Sequence, residues 1–553
     1  MKVSDLIIRC LEREGVKYVF GVPGEENEDL LFSLEQSSIR FVPTRHEAGA
    51  AFMANVYGRL TGKAGVCLST LGPGATNLLT GVADAHLDKA PLVAITGQGS
   101  SDRIHKESHQ NIDVVGMFRP VTKWNASIQN PQIVPEVVRK AFKLAETEKP
   151  GATHFELPED VARMECDHQP IEPLRLRRAS PDFKAIGRAV DLLKEAKRPL
   201  IIAGNGAIRK MASKHLRQFV AQTHIPVVST FMGKGAVSDR DEHSLLAMGL
   251  QGRDYVMCGI DVADLIITVG YDIAEYDPKF WNAGREKRII HIDFTPAEVH
   301  EHYLPEVEIV CDVSGALWEL NVQIEKERIS FGRKWFQPLR DQIVRDIDSY
   351  QLKEGEALTV PGVLHIVRGL MNPGDIVLSD VGSHKMWIGR NYPVYEPHSV
   401  ILSNGMGSMG IALPGGIAAK LAYPHKQVVA LMGDGGFMMN SQEIETATRL
   451  GVGFTIIVFN DNDYGLISWK QHSHARRSFG TQLTNPDFKK YAESFGIKGY
   501  RPSNLRELTD CLTESITGQR LCLIEIPIET SVNFELSEKL ERNLCERFDF
   551  GDK

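Results

Sequence analysis

Two short runs in the last third of the chain combine carboxylates with glycine in a way that suits an anion and a cation together. In the first, the apolar run from Val428 ends in Gly433-Asp434-Gly435-Gly436, and an amphipathic helix is predicted to follow over Ser441 to Leu450. Glycine lets a backbone approach an anion closely, and a helix N-terminus offers free N–H groups and the positive end of a dipole. A carboxylate there repels a phosphate unless a cation lies between them. The economical reading is Mg²⁺ held by Asp434 and bridging to a diphosphate. The second run, Phe459-Asn-Asp-Asn-Asp-Tyr464, comes one helix and one strand later. It places side-chain and backbone oxygens at the neighbouring strand's carboxyl end, where open α/β sheets bind ligands. Gly-Asp-Gly alone is often no more than a tight turn; the oxygen-rich run at this spacing gives it chemical meaning.

A third carboxylate, Glu47, stands between a short predicted strand (Phe41 to Pro43) and a helix of small residues. Alone it reads as a first-turn acid stabilised by the helix dipole.

These groups need strands and turns to hold them. Runs such as KAGVCLST, PLVAITG, RPLIIAG, DLIITVG, RIIHID, DIVLSD, QVVALMG and FTIIVFN, each bounded by Gly, Pro, Asp or Asn, read as buried parallel strands. The amphipathic stretches between them read as crossover helices, so the fold class is α/β with repeated open sheets. A charged stretch from Glu165 to Asp182 and a polar, partly helical one from Phe331 to Glu356 divide the chain into segments 1–165, 183–330 and 357–553. The first and last both end a strand in a Gly-rich turn, which fits two related sheets around a different middle one.

Bulk properties exclude several function classes. The chain has 553 residues, 42% hydrophobic and 24% charged, an ordinary soluble balance for several domains. A net charge of −8 speaks against nucleic acid or an anionic membrane as partner. MKVSDLIIRCLEREG reads as an amphipathic helix rather than a signal peptide, and no apolar run reaches the ~18 residues of a membrane span. The eight cysteines are scattered with no CxxC pair, so a cytoplasmic protein with reduced, mostly core thiols is expected, without a disulfide framework or structural zinc.

GDGGFMMNSQE followed by FNDNDYG resembles the signature of thiamine-diphosphate enzymes. RHEAGAAFMA followed by YGRLTGKAGVCLSTLGPGATN resembles that family's pyrimidine-binding domain. The likeness spans essentially the whole chain and implies a pyrimidine-binding, a middle and a diphosphate-binding domain over the three segments. It implies Mg²⁺ ligands at Asp434, the Asp461 side chain and the Asp463 backbone carbonyl. The family usually has Asn at Asp461; the acid keeps an oxygen ligand, and Asn460 is the second choice. Gly382, Ser383 and His384 resemble the loop that donates to the diphosphate, Gly407 the carbonyl that takes the pyrimidine amino hydrogen, and Met409 the wedge between the cofactor's rings. Gly433, Gly435, Gly436, Tyr464 and Gly465 complete the cofactor set. Without the likeness, Met406 and Met409 read as core residues. Glu47 becomes the acid that activates the cofactor from an apolar pocket, where burial favours its protonated form. In this family that acid and the diphosphate site meet across a subunit interface, so a homodimer is the minimum and a homotetramer is expected.

Within the family the closest likeness is to acetolactate synthases of the flavin-independent, catabolic type. Leu200 to Ala207 ends a strand in Gly-Asn-Gly, a poor dinucleotide predictor. The run Gly270 to Asn282 resembles the flavin-free type, so no FAD is expected. His109-Gln110 resembles the synthases' His-Gln segment, with Gln110 at the reacting centre. Ile467 stands where simple decarboxylases carry a Glu, which removes a proton donor and favours carbon–carbon bond formation between two 2-oxo acids. Against this, Glu26 stands about where catabolic synthases place a lysine, an acid where a cation could meet the acceptor's carboxylate. Trp469, Lys470 and the run His472 to Arg477 could admit a dianionic oxo acid, or form a solvated basic loop. The alternatives are therefore a non-oxidative decarboxylase, for example of 2-oxoglutarate, and an inactive cofactor-binding scaffold.

Overall fold

A computed structural model describes residues 1–174, 178–209, 211–250, 252–332, 334–542, 544–548 and 550. Its architecture is three parallel six-stranded sheets with interleaved helices. The first sheet is built from β1 (Tyr18–Gly21), β2 (Arg40–Pro43), β3 (Gly65–Ser69), β4 (Leu92–Gln98), β5 (Asn125–Ser127) and β6 (Ala152–Pro158). The second has β7 (Pro199–Ala203), β8 (Val227–Ser229), β9 (Ser244–Ala247), β10 (Leu265–Val269), β11 (Arg288–Asp293) and β12 (Val307–Val310). The third has β13 (Ile376–Ser379), β14 (Val400–Leu402), β15 (Val428–Gly433), β16 (Thr455–Asn460), β17 (Lys498–Tyr500) and β18 (Cys522–Pro527). All eight apolar runs singled out in the sequence are strands, because a run apolar on both faces is stable only where helices cover both.

Strand order shows which sheets are related. The first runs β2-β1-β3-β4-β6-β5 and the third β14-β13-β15-β16-β18-β17, the same order shifted along the chain. The middle sheet runs β12-β11-β10-β7-β8-β9, a different winding. Each sheet has a point where the order reverses and a crevice opens beyond the strand ends: β1/β3, β7/β10 and β13/β15.

The first and third sheets share one core, with Phe52, Met53 and Val56 of the Glu47–Thr61 helix packed among Leu413, Ile417 and Ala418 of the Ala412–Ala422 helix. Polar ties cross the same seam: Asp88 accepts from the backbone N–H groups of Asn404 (3.2 Å) and Gly405 (2.6 Å), and Asp84 from Ser403 Oγ (2.5 Å). The N-terminal run is the amphipathic Val3–Arg13 helix, as expected, burying Val3, Leu6, Ile7 and Leu11. Of the stretch 165–182, residues 175–177 lie outside the described residues, and the others hold one isolated bridge, Glu165 to Lys2. No helix among the described residues is long and apolar enough to cross a membrane.

The cysteines require a correction. Cys258 and Cys545 are bonded, with Cα atoms 5.3 Å apart and 287 residues between them in sequence. The chain's end folds back over the Tyr255–Val262 helix, with Phe548 against Tyr255 and Phe550 against Trp335. Spacing along the sequence cannot reveal a pairing made by that return. The other six cysteines are free, five of them buried.

Candidate active site

The third sheet's crevice gathers the carboxylates and glycines. β15 ends at Gly433, and Asp434 is itself the first residue of a helix, Asp434–Asn440. The helix expected over Ser441 to Leu450 is present as Glu443–Leu450, and this short helix, which was not expected, precedes it. Asp434 is buried and accepts from the N–H groups of Gly435 (2.9 Å) and Asn462 (2.8 Å) and from Asn485 Nδ2 (2.6 Å). Asp461 lies beside it. Burial first, and then the Asp434 charge, push the Asp461 carboxyl up to about 7. Asp434 is likewise raised, chiefly by burial. Two adjacent carboxylates, both raised chiefly by burial, are relieved by a divalent cation between them, so the pair fits one.

A third ligand fits as well. Asp463 faces Gln482 across an isolated bridge whose hydrogen bonds are made by its neighbours: Tyr464 N–H to Thr481 O (2.9 Å) and Leu483 N–H to Asn462 O (2.7 Å). The Asp463 carbonyl is left out of that pairing and free to ligate. No group of three or more His, Cys, Asp or Glu side chains that could hold a metal ion occurs among the described residues.

Across the β13/β15 crevice, Gly382 caps the Ser383–Asn391 helix. A Cβ on Gly382 would meet the His384 ring at 2.8 Å, and one on Gly433 would meet it at 3.4 Å. His384 is 2% exposed, burial pushes its imidazole down to about 3, and its Nε2 has no hydrogen-bond partner among the described residues. An uncharged, buried, orphaned ring nitrogen against a glycine cradle fits a ligand oxygen there. Tyr464 lies against Gly435, whose Cβ would sit 2.8 Å from its ring. A Cβ on Gly465 would meet Asp461 at 2.5 Å and Ser383 Oγ at 3.2 Å. Gly382 to His384, Gly433 to Gly436 and Asp461 to Gly465 therefore form one cluster. The loop with Gly407, at φ +68°, and half-buried Met409 is tied to Asp84 and Asp88 through Ser403 to Gly405.

Glu47 and Gln110 belong to the first sheet's crevice. Glu47 opens the Glu47–Thr61 helix, and its carboxylate accepts from Asn77 Nδ2 (3.1 Å). It is half-buried in the single chain, not enclosed in the expected apolar pocket. Gln110 is exposed, at φ +56°, and packs on Gly72 (φ +51°), where an added Cβ would lie 2.8 Å from the Gln110 Cβ. Neither shares a hydrogen bond with the Asp434 cluster among the described residues.

The same three-part organisation recurs in known proteins. Residues 1–117 match the N-terminal TPP binding domain of thiamine pyrophosphate enzymes, 186–320 the central domain and 380–526 the C-terminal TPP binding domain. The chain is 33% identical over 556 residues to an acetolactate synthase of Bacillus subtilis (strain 168), covering 98% of this chain and 96% of that one. It is 34% identical to a catabolic acetolactate synthase of Raoultella terrigena, covering 95% of each. It is also 34% identical to acetolactate synthase 1, chloroplastic, of Nicotiana tabacum, covering 95% of this chain and 82% of that one. The chain belongs to the thiamine pyrophosphate enzyme family.

In this thiamine pyrophosphate enzyme three polar residues near the site escaped sequence reasoning. Asn485 bonds Asp434, Asn460 and Asn462 together from a distant loop that no local pattern marks. Asp380, fully buried, accepts from Gly410 N–H (2.8 Å) and is pushed up to about 7 by burial; a second carboxylate at a strand end was the available signal. Glu443 accepts from the N–H groups of Arg45 (3.0 Å) and His46 (3.1 Å), so the third segment fixes the turn that presents Glu47. Trp469 is buried and donates to Ser537 (2.6 Å), a packing role, while Lys470, Arg476 and Arg477 are exposed.

Proposed function

We propose that this enzyme is an acetolactate synthase that joins two pyruvates with loss of CO₂, using thiamine diphosphate held by Mg²⁺. When bound, the cofactor would supply a nucleophilic carbon and an electron sink for the decarboxylation of a 2-oxo acid. In this reading Asp434, Asp461 and the Asp463 carbonyl would hold Mg²⁺, while Gly382, Ser383, His384 and the Gly436 N–H would hold the diphosphate. The Gly407 carbonyl and Met409 orient the rings. Glu47 holds or shares the proton on the pyrimidine nitrogen, and Gln110 stands over the reacting centre.

The observation that carries ligation over simple decarboxylation is Ile467. It lies one turn beyond Tyr464 on the Gly465–Ala475 helix, apolar and 50% exposed. A side chain without a proton to give leaves the product of CO₂ loss waiting for a second carbonyl. Ile467→Glu is expected to move product from acetolactate toward acetaldehyde by about tenfold or more; an unchanged ratio would remove Ile467 from the argument.

Three further features support the reading. Glu47 and the Asp434 cluster sit in different crevices, and Met406, Met438 and Met439 are exposed at 47%, 42% and 46%. A second copy covering them would bring one chain's Glu47 to its partner's cofactor, so the working unit is at least a homodimer, and we extend it to a homotetramer. The middle crevice at β7/β10 is lined by Lys149, Asn205, Gly206, Gly270 and Glu275. There Glu275, pushed up to about 8 by burial, takes the Asn205 N–H (3.0 Å) where a nucleotide phosphate would bind, and Lys149 reaches in to Asp293 (2.9 Å). That filling supports a flavin-free enzyme. Mostly unpaired thiols support a cytoplasmic location.

The deciding experiment supplies thiamine diphosphate and Mg²⁺ and offers pyruvate and 2-oxoglutarate separately. Acetolactate from pyruvate, formed well above any aldehyde, is the expected result. Aldehyde alone, above all succinic semialdehyde, would make it a decarboxylase, and cofactor binding without turnover a scaffold.

A further inference from the structure

The acid at position 26 leaves unanswered how the site receives the carboxylate of an acceptor. Glu26 follows β1 at the reversal point of the first sheet, where Thr70 Oγ1 donates to its Oε2 (2.8 Å). The Thr70 to Gly74 turn is also the floor under Glu47 and Gln110: a Cβ on Gly74 would lie 2.9 Å from Thr70 and 3.5 Å from Glu47 Oε1, and Gln110 packs on Gly72. Glu26, Glu47 and Gln110 thus ring one turn.

A cation from another loop stands on the Glu26 side of this ring. Arg103, beyond the end of β4, folds its guanidinium back over Gly99, whose Cβ would lie 2.8 Å from Nη2. It stands 3.9 Å from Glu26 and 3.6 Å from Glu159. Both distances are ion pairs too long to be hydrogen bonds. Its Nε is buried with no partner, and the guanidinium makes no hydrogen bond among the described residues. An arginine steered by two acids yet using none of its N–H groups on them keeps its fork for another planar anion.

We infer that Arg103, anchored by Glu26 and Glu159, is the specificity-determining residue that receives the carboxylate of the second 2-oxo acid. The inference rests on the synthase reading above, since a decarboxylase has no acceptor. The acid at 26 is then an anchor for the cation.

The test compares wild-type, Arg103→Gln and Arg103→Lys holoenzymes with pyruvate, reading acetolactate, acetaldehyde and ferricyanide-coupled decarboxylation. Two equivalents of ferricyanide take one electron each from the two-carbon unit, and water then releases it as acetate and protons, so no second oxo acid is needed. Arg103→Gln is expected to lose about tenfold more in acetolactate formation than in the ferricyanide reaction. Its half-saturating pyruvate for acetolactate should rise by a similar factor, and Arg103→Lys, a charge without the fork, should recover part of the loss. The inference is overturned if Arg103→Gln keeps the wild-type half-saturation and product ratio, or if both reactions fall in step. Wild-type enzyme that consumes pyruvate without making acetolactate would overturn the synthase reading instead.

Discussion

Glu47→Gln is expected to lower kcat by about 10² to 10⁴ while leaving cofactor and metal bound. The amide is nearly isosteric and keeps an oxygen for Asn77 Nδ2, now at 3.1 Å from the carboxylate. What it loses is the capacity to hold or share a proton, the one property the reading requires of this position. The structural cost should be small. Glu47 is the first residue of its helix, where a carboxylate contributes ~0.3–1 kcal/mol through the dipole. The turn before it is fixed from outside, by Glu443 accepting the Arg45 and His46 N–H groups. Steady-state turnover at saturating cofactor, with cofactor affinity read by tryptophan fluorescence, checks both halves. If turnover survives, Glu47 is only a first-turn acid.

The parts legible in the sequence were those written in contiguous residues. Val428 to Gly433 reads as a buried strand because every residue is apolar or Gly, and it is one. Its continuation into Asp434 and the run to Asp463 carried the metal hypothesis. What stayed hidden was made by residues far apart in sequence. Asn485 reaches Asp434 across 51 positions, and Glu443 reaches Arg45 across 398. The Cys258–Cys545 bond spans 287. Glu26 shows the same limit from the other side. Read as an isolated acid it argued against an anionic acceptor, and only the fold places Arg103, from another loop, beside it. The helix beginning at Asp434 was not expected because Gly433 to Gly436 read as an anion-binding turn, and in the structure Gly435 and Gly436 stand in a helix's first turn, where N–H groups have no partner carbonyl within the helix.

The second large effect is expected at the proposed metal site, where Asp434→Asn and Asp461→Asn should part company. Asp434 has three donors aimed at its two oxygens, from Gly435, Asn462 and Asn485. An amide must turn its NH₂ toward at least one of them, so the substitution removes a charge and also buries a donor against a donor. At ~1–3 kcal/mol for the unpaired group and ~1.5–3 for the lost charged contact, cofactor affinity at fixed Mg²⁺ should fall by roughly 10² to 10⁴. Asp461 takes one backbone bond, from Asp463 N–H at 3.2 Å, which an amide oxygen can still accept. Its replacement also relieves the repulsion from Asp434. Asp461→Asn should therefore keep Mg²⁺ and cofactor within about tenfold of wild type and raise the melting temperature of the metal-free protein. Calorimetric titration of cofactor at fixed Mg²⁺, with EDTA releasing it from wild type, separates the two. Equal losses in both variants would mean the carboxylates act only as a buried pair, and a wild-type Asp434→Asn would move the metal elsewhere.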